Sequence, residues 1–66
     1  MNIVVNGEML EVSEGVTLLA LLSQLNIAPA HVAIELNLSV IDKSQFDQVL
    51  LKDSDKMEII RFVGGG

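Results

Sequence analysis

Asn6-Gly7, set between two short apolar runs, constrains this chain more than any other pair of residues in it. The tightest hairpin turns need positive φ angles at both central residues, which asparagine tolerates and glycine adopts freely. A loop at that dipeptide dictates the register around it: Val5 faces Glu8 and Ile3 faces Leu10. Met1, Ile3, Val5, Leu10 and Val12 then share one face, while Asn2, Val4, Met9 and Glu11 share the other. The first face is richer in apolar residues and is the one expected against a core.

After Ser13-Glu14-Gly15, Thr17 is placed to cap a helix whose Leu18, Leu21, Leu22 and Leu25 recur at i, i+3, i+4 and i+7. Asn26 and Pro29 end it. Val32, Ile34 and Leu36 then alternate with Ala33, Glu35 and Asn37, the pattern of a half-buried strand, and Ser39-Val40-Ile41 makes a short one. Ser44-Gln45-Phe46-Asp47 is expected to open a single helical turn and Asp53-Ser54-Asp55 to turn the chain into a last strand, Lys56 to Val63. In that strand Met57 and Ile59 lie on one face and Ile60 and Phe62 on the other. A central strand, or one with a binding face, has this pattern.

Hairpin, helix, strand, short strand, strand predicts an α+β domain, a mixed sheet of four to five strands with one main helix packed across it. Residues 1–63 are expected to form that domain and residues 64–66 a flexible glycine tail. With 66 residues there is material for one core. The chain has no cysteine and a single histidine, which removes disulfides, a thiol nucleophile, a protein-borne persulfide and a metal site as expectations. Packing must suffice, and half of the residues are hydrophobic. A formal charge of −5 repels phosphate backbones, so nucleic acid is not an expected partner. Without a basic segment and apolar run at the start, or a run near the ~20 apolar residues that span a bilayer, no membrane partner is expected and the location is read as cytoplasmic.

Three of the five glycines are Gly64, Gly65 and Gly66. At an average usage of roughly 7%, three in succession at one end arise by chance in about 0.03% of chains. A thin tail without side chains can pass through a narrow channel into another protein's active site and deliver the Gly66 carboxylate there. A carboxylate is a poor electrophile until activated, most simply as an acyl-adenylate made from ATP. This chain has no GxxxxGK[ST] loop, no GxGxxG and no basic cluster to hold phosphates. The expectation is a carrier, not an enzyme: it binds no cofactor, and ATP is used by a partner adenylyltransferase.

Ile3-Val4-Val5-Asn6-Gly7-Glu8, the leucine-rich helix, Val32-Ala33-Ile34-Glu35-Leu36-Asn37 and the ending Met57-Glu58-Ile59-Ile60-Arg61-Phe62-Val63-Gly64-Gly65-Gly66 resemble the ThiS family of thiamine-biosynthesis sulfur carriers. The resemblance spans essentially the whole chain and implies a ubiquitin-like β-grasp fold. It also implies a cycle in which an E1-like, ThiF-like adenylyltransferase activates Gly66 and a sulfur-donor system converts the adenylate to a thiocarboxylate. A ThiG-like thiazole synthase then receives the sulfur. The chain departs from the family's usual pattern at three turns, with Leu38 where glycine is usual, Asp42 where proline is common, and Ser54 within a sequence that tends to read Asp-Gly-Asp. Two alternatives share the fold: the small subunit of molybdopterin synthase, and a protein-modifier or interaction domain.

Val4, Met9, Ile60 and Phe62 on the outer face are candidate partner-binding residues, together with Gly64 and Gly65, because exposed apolar patches on small proteins mark interaction sites. The competing explanation is a second layer of core under the Phe46 segment. His31 is expected at the surface with no catalytic role. Glu8, Glu11, Glu14, Asp42, Asp47, Asp53, Asp55 and Glu58 are scattered and read as solubilising charges, with Glu58 near enough to Ile60 to meet a basic partner.

Overall fold

The computed structural model describes residues 1–62. Asn6 at φ 50° and Gly7 at φ 82° form the expected turn between β1, Asn2–Val5, and β2, Glu8–Glu11. The register is the one the turn dictates, Ile3 opposite Leu10 and Val5 opposite Glu8. Ile3 and Val12 are buried, Met1, Val5 and Leu10 pack partly buried on the same core, and Met9 points away, 73% exposed.

Thr17 caps α1, Leu18–Gln24, its hydroxyl oxygen accepting the Ala20 N–H at 3.1 Å. Seven residues are too few for a helix stable on its own, so burial of Leu18, Leu21 and Leu22 must hold it, at about 1.5–3 kcal/mol per side chain. The first free amides of α1 find partners outside the helix: Leu18 N–H donates to the Val49 carbonyl and Leu19 N–H to the Phe46 carbonyl, both at 2.9 Å. Asn26, at φ 58°, turns the chain out of the helix.

A 3-10 turn, Pro29–His31, leads into β3, Val32–Leu36; β4, Ser39–Ile41, follows, and β5, Lys56–Arg61, closes the fold. The five strands make one sheet in the order β2-β1-β5-β3-β4. β5 is therefore central, parallel to β1 and antiparallel to β3 and thus paired with both early and middle parts of the chain. The core is a single cluster between α1 and one face of this sheet, from Ile3 to Ile59.

Four expectations need correction or completion. The turn expected to open at Ser44 is a 3-10 turn over Lys43–Gln45, because Asp42 caps it, accepting the Ser44 N–H at 3.0 Å and the Ser44 hydroxyl at 3.1 Å. Those two hydrogen bonds hold the Asp42 carboxyl below the usual aspartate range. Phe46 is buried in the main core, so its segment forms no second layer over the outer face. β5 ends at Arg61, opposite the first residue of β3, and Val63 with the expected boundary at 63/64 lies outside the described residues.

Asp55 is the fourth correction, for it is not a solvated surface charge. Only 9% exposed, it accepts the Asn37 side-chain N–H at 2.9 Å and the Lys52 N–H at 2.7 Å, while Asn37 Oδ1 accepts the Lys56 N–H at 2.9 Å. This knot ties the β3–β4 turn to the entry of β5. Nearby, the three departures from the family pattern leave turn geometry intact. Leu38 and Ser54 take φ 72° and 73°, the region glycine prefers, and Asp42 at φ −68° matches the angle proline would impose.

Candidate functional site

The chain leaves the middle of the sheet at the end of β5, and the surroundings of that exit define the site. Main-chain groups of β5 alternate between its two neighbours. On the β3 side, the Lys56 carbonyl accepts the Asn37 N–H at 2.7 Å, and Phe62 N–H donates to the His31 carbonyl at 3.0 Å. On the β1 side, the carbonyls of Asp55 and Met57 accept from Val4 and Asn6, both at 2.9 Å. β1 then turns away at Asn6, whose side chain takes over: Asn6 Oδ1 accepts the Ile59 N–H at 2.7 Å and Asn6 Nδ2 donates to the Ile59 carbonyl at 3.3 Å. The sequence reading assigned Asn6 to the turn and missed this second task.

Ile60 and Phe62 face away from α1 and are 54% and 57% exposed, whereas Met57 and Ile59 on the opposite face are buried. Lys43 lies over the Phe62 ring, its ammonium 5.1 Å from the centroid, and the same ammonium donates to the Ala30 carbonyl at 3.3 Å. His31 is exposed in its turn and contributes its carbonyl, not its ring. Val4 is half-buried opposite Met9.

All four apolar candidates thus share the outer face, in two groups rather than one patch. Lys56, beside Val4, and Glu58, opposite Glu35, stand between Val4–Met9 and Ile60–Phe62. Lys56 and Ile60 are four residue steps apart along β5, about 13 Å of strand. Two further apolar residues belong to this face and were not among the candidate partner-binding residues: Leu38, 91% exposed at the β3–β4 turn, and Val40, paired with Glu35 across β3 and β4. Alternation in Ser39-Val40-Ile41 was the available signal, since Ile41 packs against the core and forces Val40 outward.

Gly64, Gly65 and Gly66 lie outside the described residues. Among the described residues there is no cluster of three or more histidine, cysteine or acidic side chains that could hold a metal ion, and no helix long and apolar enough to cross a membrane.

The family model of ThiS matches residues 2–66, from the first strand through the three glycines. This chain belongs to the ThiS family. The ubiquitin-like β-grasp fold, a mixed five-strand sheet with one helix, is shared with a crystal structure of the thiamine biosynthesis protein ThiS from Geobacter metallireducens. That similarity has a TM-score of 0.85 at 40% identity and covers the whole of both chains. Two longer relatives are thiazole synthases, one from Paramagnetospirillum magneticum at 44% identity and one from Magnetococcus marinus at 39%, each over 66 residues. The ThiS-family chain is matched along its whole length in both and spans 20% of the length of each.

Proposed function

We propose that this chain is the sulfur carrier that supplies sulfur to the thiazole moiety of thiamine, and that the Gly66 carboxylate is the group that carries it. The observation that carries this reading is the family match extending through the glycines, on a fold whose central strand is the last element before them in the sequence. In the first step a Gly66 carboxylate oxygen attacks the α-phosphate of ATP in an E1-like adenylyltransferase, and pyrophosphate leaves. A sulfur-donor system then delivers sulfur at the oxidation level of sulfide to the activated carbonyl carbon, AMP leaves, and a thiocarboxylate remains. A thiazole synthase accepts that sulfur. The names of the two longer relatives support this last partner, and the family match favours thiamine over the molybdopterin reading.

The chain acts as a substrate of its partners and not as an enzyme. Its contribution is a rigid body that presents a thin end, since misplacement by about 1 Å can cost on the order of a hundredfold in rate. Intact-mass measurement after incubation with a ThiF-like adenylyltransferase, ATP and a sulfur donor tests the reading. Exchange of one oxygen for sulfur is expected in the full chain and absent from a chain lacking Gly66. Equal thiolation of the shortened chain would overturn it.

A further inference from the structure

β5 outruns its neighbour. β1 ends at Val5, and the Asn6 side chain stands in for a strand at Ile59, so Ile59 is the last residue of β5 paired on that side. Main-chain groups of Arg61 point the same way as those of Ile59, and among the described residues neither its N–H nor its carbonyl has a partner there. Beside this open half-edge lies a groove of about 240 Å³ walled by Val5, Leu25, Ile27 and Ile59, with Glu8 and Arg61 at its sides. An unpaired main-chain edge next to a notch with apolar walls and charged sides is suited to strand addition: backbone hydrogen bonds supply affinity, and a notch selects every second side chain.

The reach of the tail says what must occupy this edge. From Phe62 to Gly66 there are four residues, at most about 13–14 Å when fully extended. If Gly66 is the reacting end, an enzyme acting on it must bring its own wall against the last residues of β5. Glycines offer no side chains to recognise, so the main chain is what such a wall can read.

We propose that the adenylating partner adds an extended segment to the Arg61 side of β5, pairing with the Arg61 N–H and carbonyl and seating one apolar side chain among Val5, Leu25, Ile27 and Ile59. This inference rests on the carrier reading of Gly66. The added strand aims the tail, because a residue hydrogen-bonded on both sides of β5 fixes the direction in which the next four leave.

An amide-to-ester replacement at the Arg61 nitrogen, accessible by ligating a synthetic C-terminal peptide, removes the one N–H and keeps every side chain. ATP–pyrophosphate exchange by a ThiF-like adenylyltransferase is the assay, with Arg61→Pro as a second variant lacking the same N–H. The expected result is a thermal midpoint for the ester lowered no further than the weaker ester carbonyl at Ile60, opposite Ala33, accounts for, since the Arg61 N–H has no partner among the described residues. Exchange at subsaturating carrier should fall about fivefold, the worth of one backbone hydrogen bond, and at least as far for Arg61→Pro. Full exchange by the ester and by Arg61→Pro, with exchange lost on deleting Gly66, would remove the added strand and leave the carrier reading intact. Full exchange without Gly66 would overturn both, and a fall in the ester's thermal midpoint larger than the weaker Ile60 acceptor accounts for would show that the edge is already occupied in the free protein.

Discussion

The side-chain amide of Asn6 copies a peptide group, meeting both the N–H and the carbonyl of Ile59 where β1 has turned away. Asn6 thus ties the hairpin to the central strand while its positive φ makes the turn. Asp55 does comparable work at the other end of β5. Replacing it by alanine leaves the partly buried Asn37 and Lys52 donors without their acceptor, and Asp55→Ala is expected to lower stability by about 1–2 kcal/mol, read as a fall in the urea midpoint. No pattern in the sequence separates Asp55 from the solvated carboxylates around it, because its partners come from the β3–β4 turn and the loop before β5. Leu38 sits at φ 72° with its side chain in solvent, a conformation that costs a branched residue roughly 1–2 kcal/mol. Glycine there would relieve the strain at a cost of about 0.4–1 kcal/mol in unfolded-state entropy, so Leu38→Gly should be stabilising by about 0.5–1 kcal/mol in chemical denaturation. A loss of stability would show that the Leu38 side chain contributes contacts outweighing its backbone strain.

Among the elements, α1 and β5 differ in how openly they declare themselves. The leucine spacing of α1 is a periodic signal with one reading, and the buried stripe follows it at Leu18, Leu21 and Leu22, with Leu25 partly buried at the C-cap. The two-sided apolar pattern of β5 has two readings, and periodicity cannot choose between a strand covered on both faces and one with an open face. Placement of Phe46 in the core decides it and leaves Ile60 and Phe62 exposed. A substitution at Ile60 that keeps strand propensity isolates the role of that face. Aspartate would add a third negative charge near Glu58 and Glu35, so threonine is the cleaner probe. Ile60→Thr should shift stability by no more than about 0.5 kcal/mol while weakening the complex with the adenylating partner about tenfold, as loss of one or two buried methylene equivalents at an interface would. Titration calorimetry with the wild-type partner checks the second half, and unchanged affinity would remove Ile60 from the interface.

At the scale of the whole molecule, a charge of −5 on 66 residues favours encounter with electropositive surfaces, and among the described residues the core ends at Ile59. Removing Gly65 and Gly66 leaves every residue of the described core in place, so the thermal unfolding of the shortened chain should match the full one within about 0.5 kcal/mol. A larger loss would mean that the glycines contribute to folding and are not simply cargo. Hairpin register, helix face, strand alternation and the glycine end were all determined by the sequence alone, because each depends on neighbours within a few positions or on the fixed periods of helix and strand. Pairing of the last strand between the first and third, burial of Asp55, closure of the core by Phe46, the Asn6 amide on Ile59 and the open edge at Arg61 were decided only by the tertiary structure. Each of those joins residues far apart along the chain, where what a side chain or peptide group meets is set by the packing of the whole.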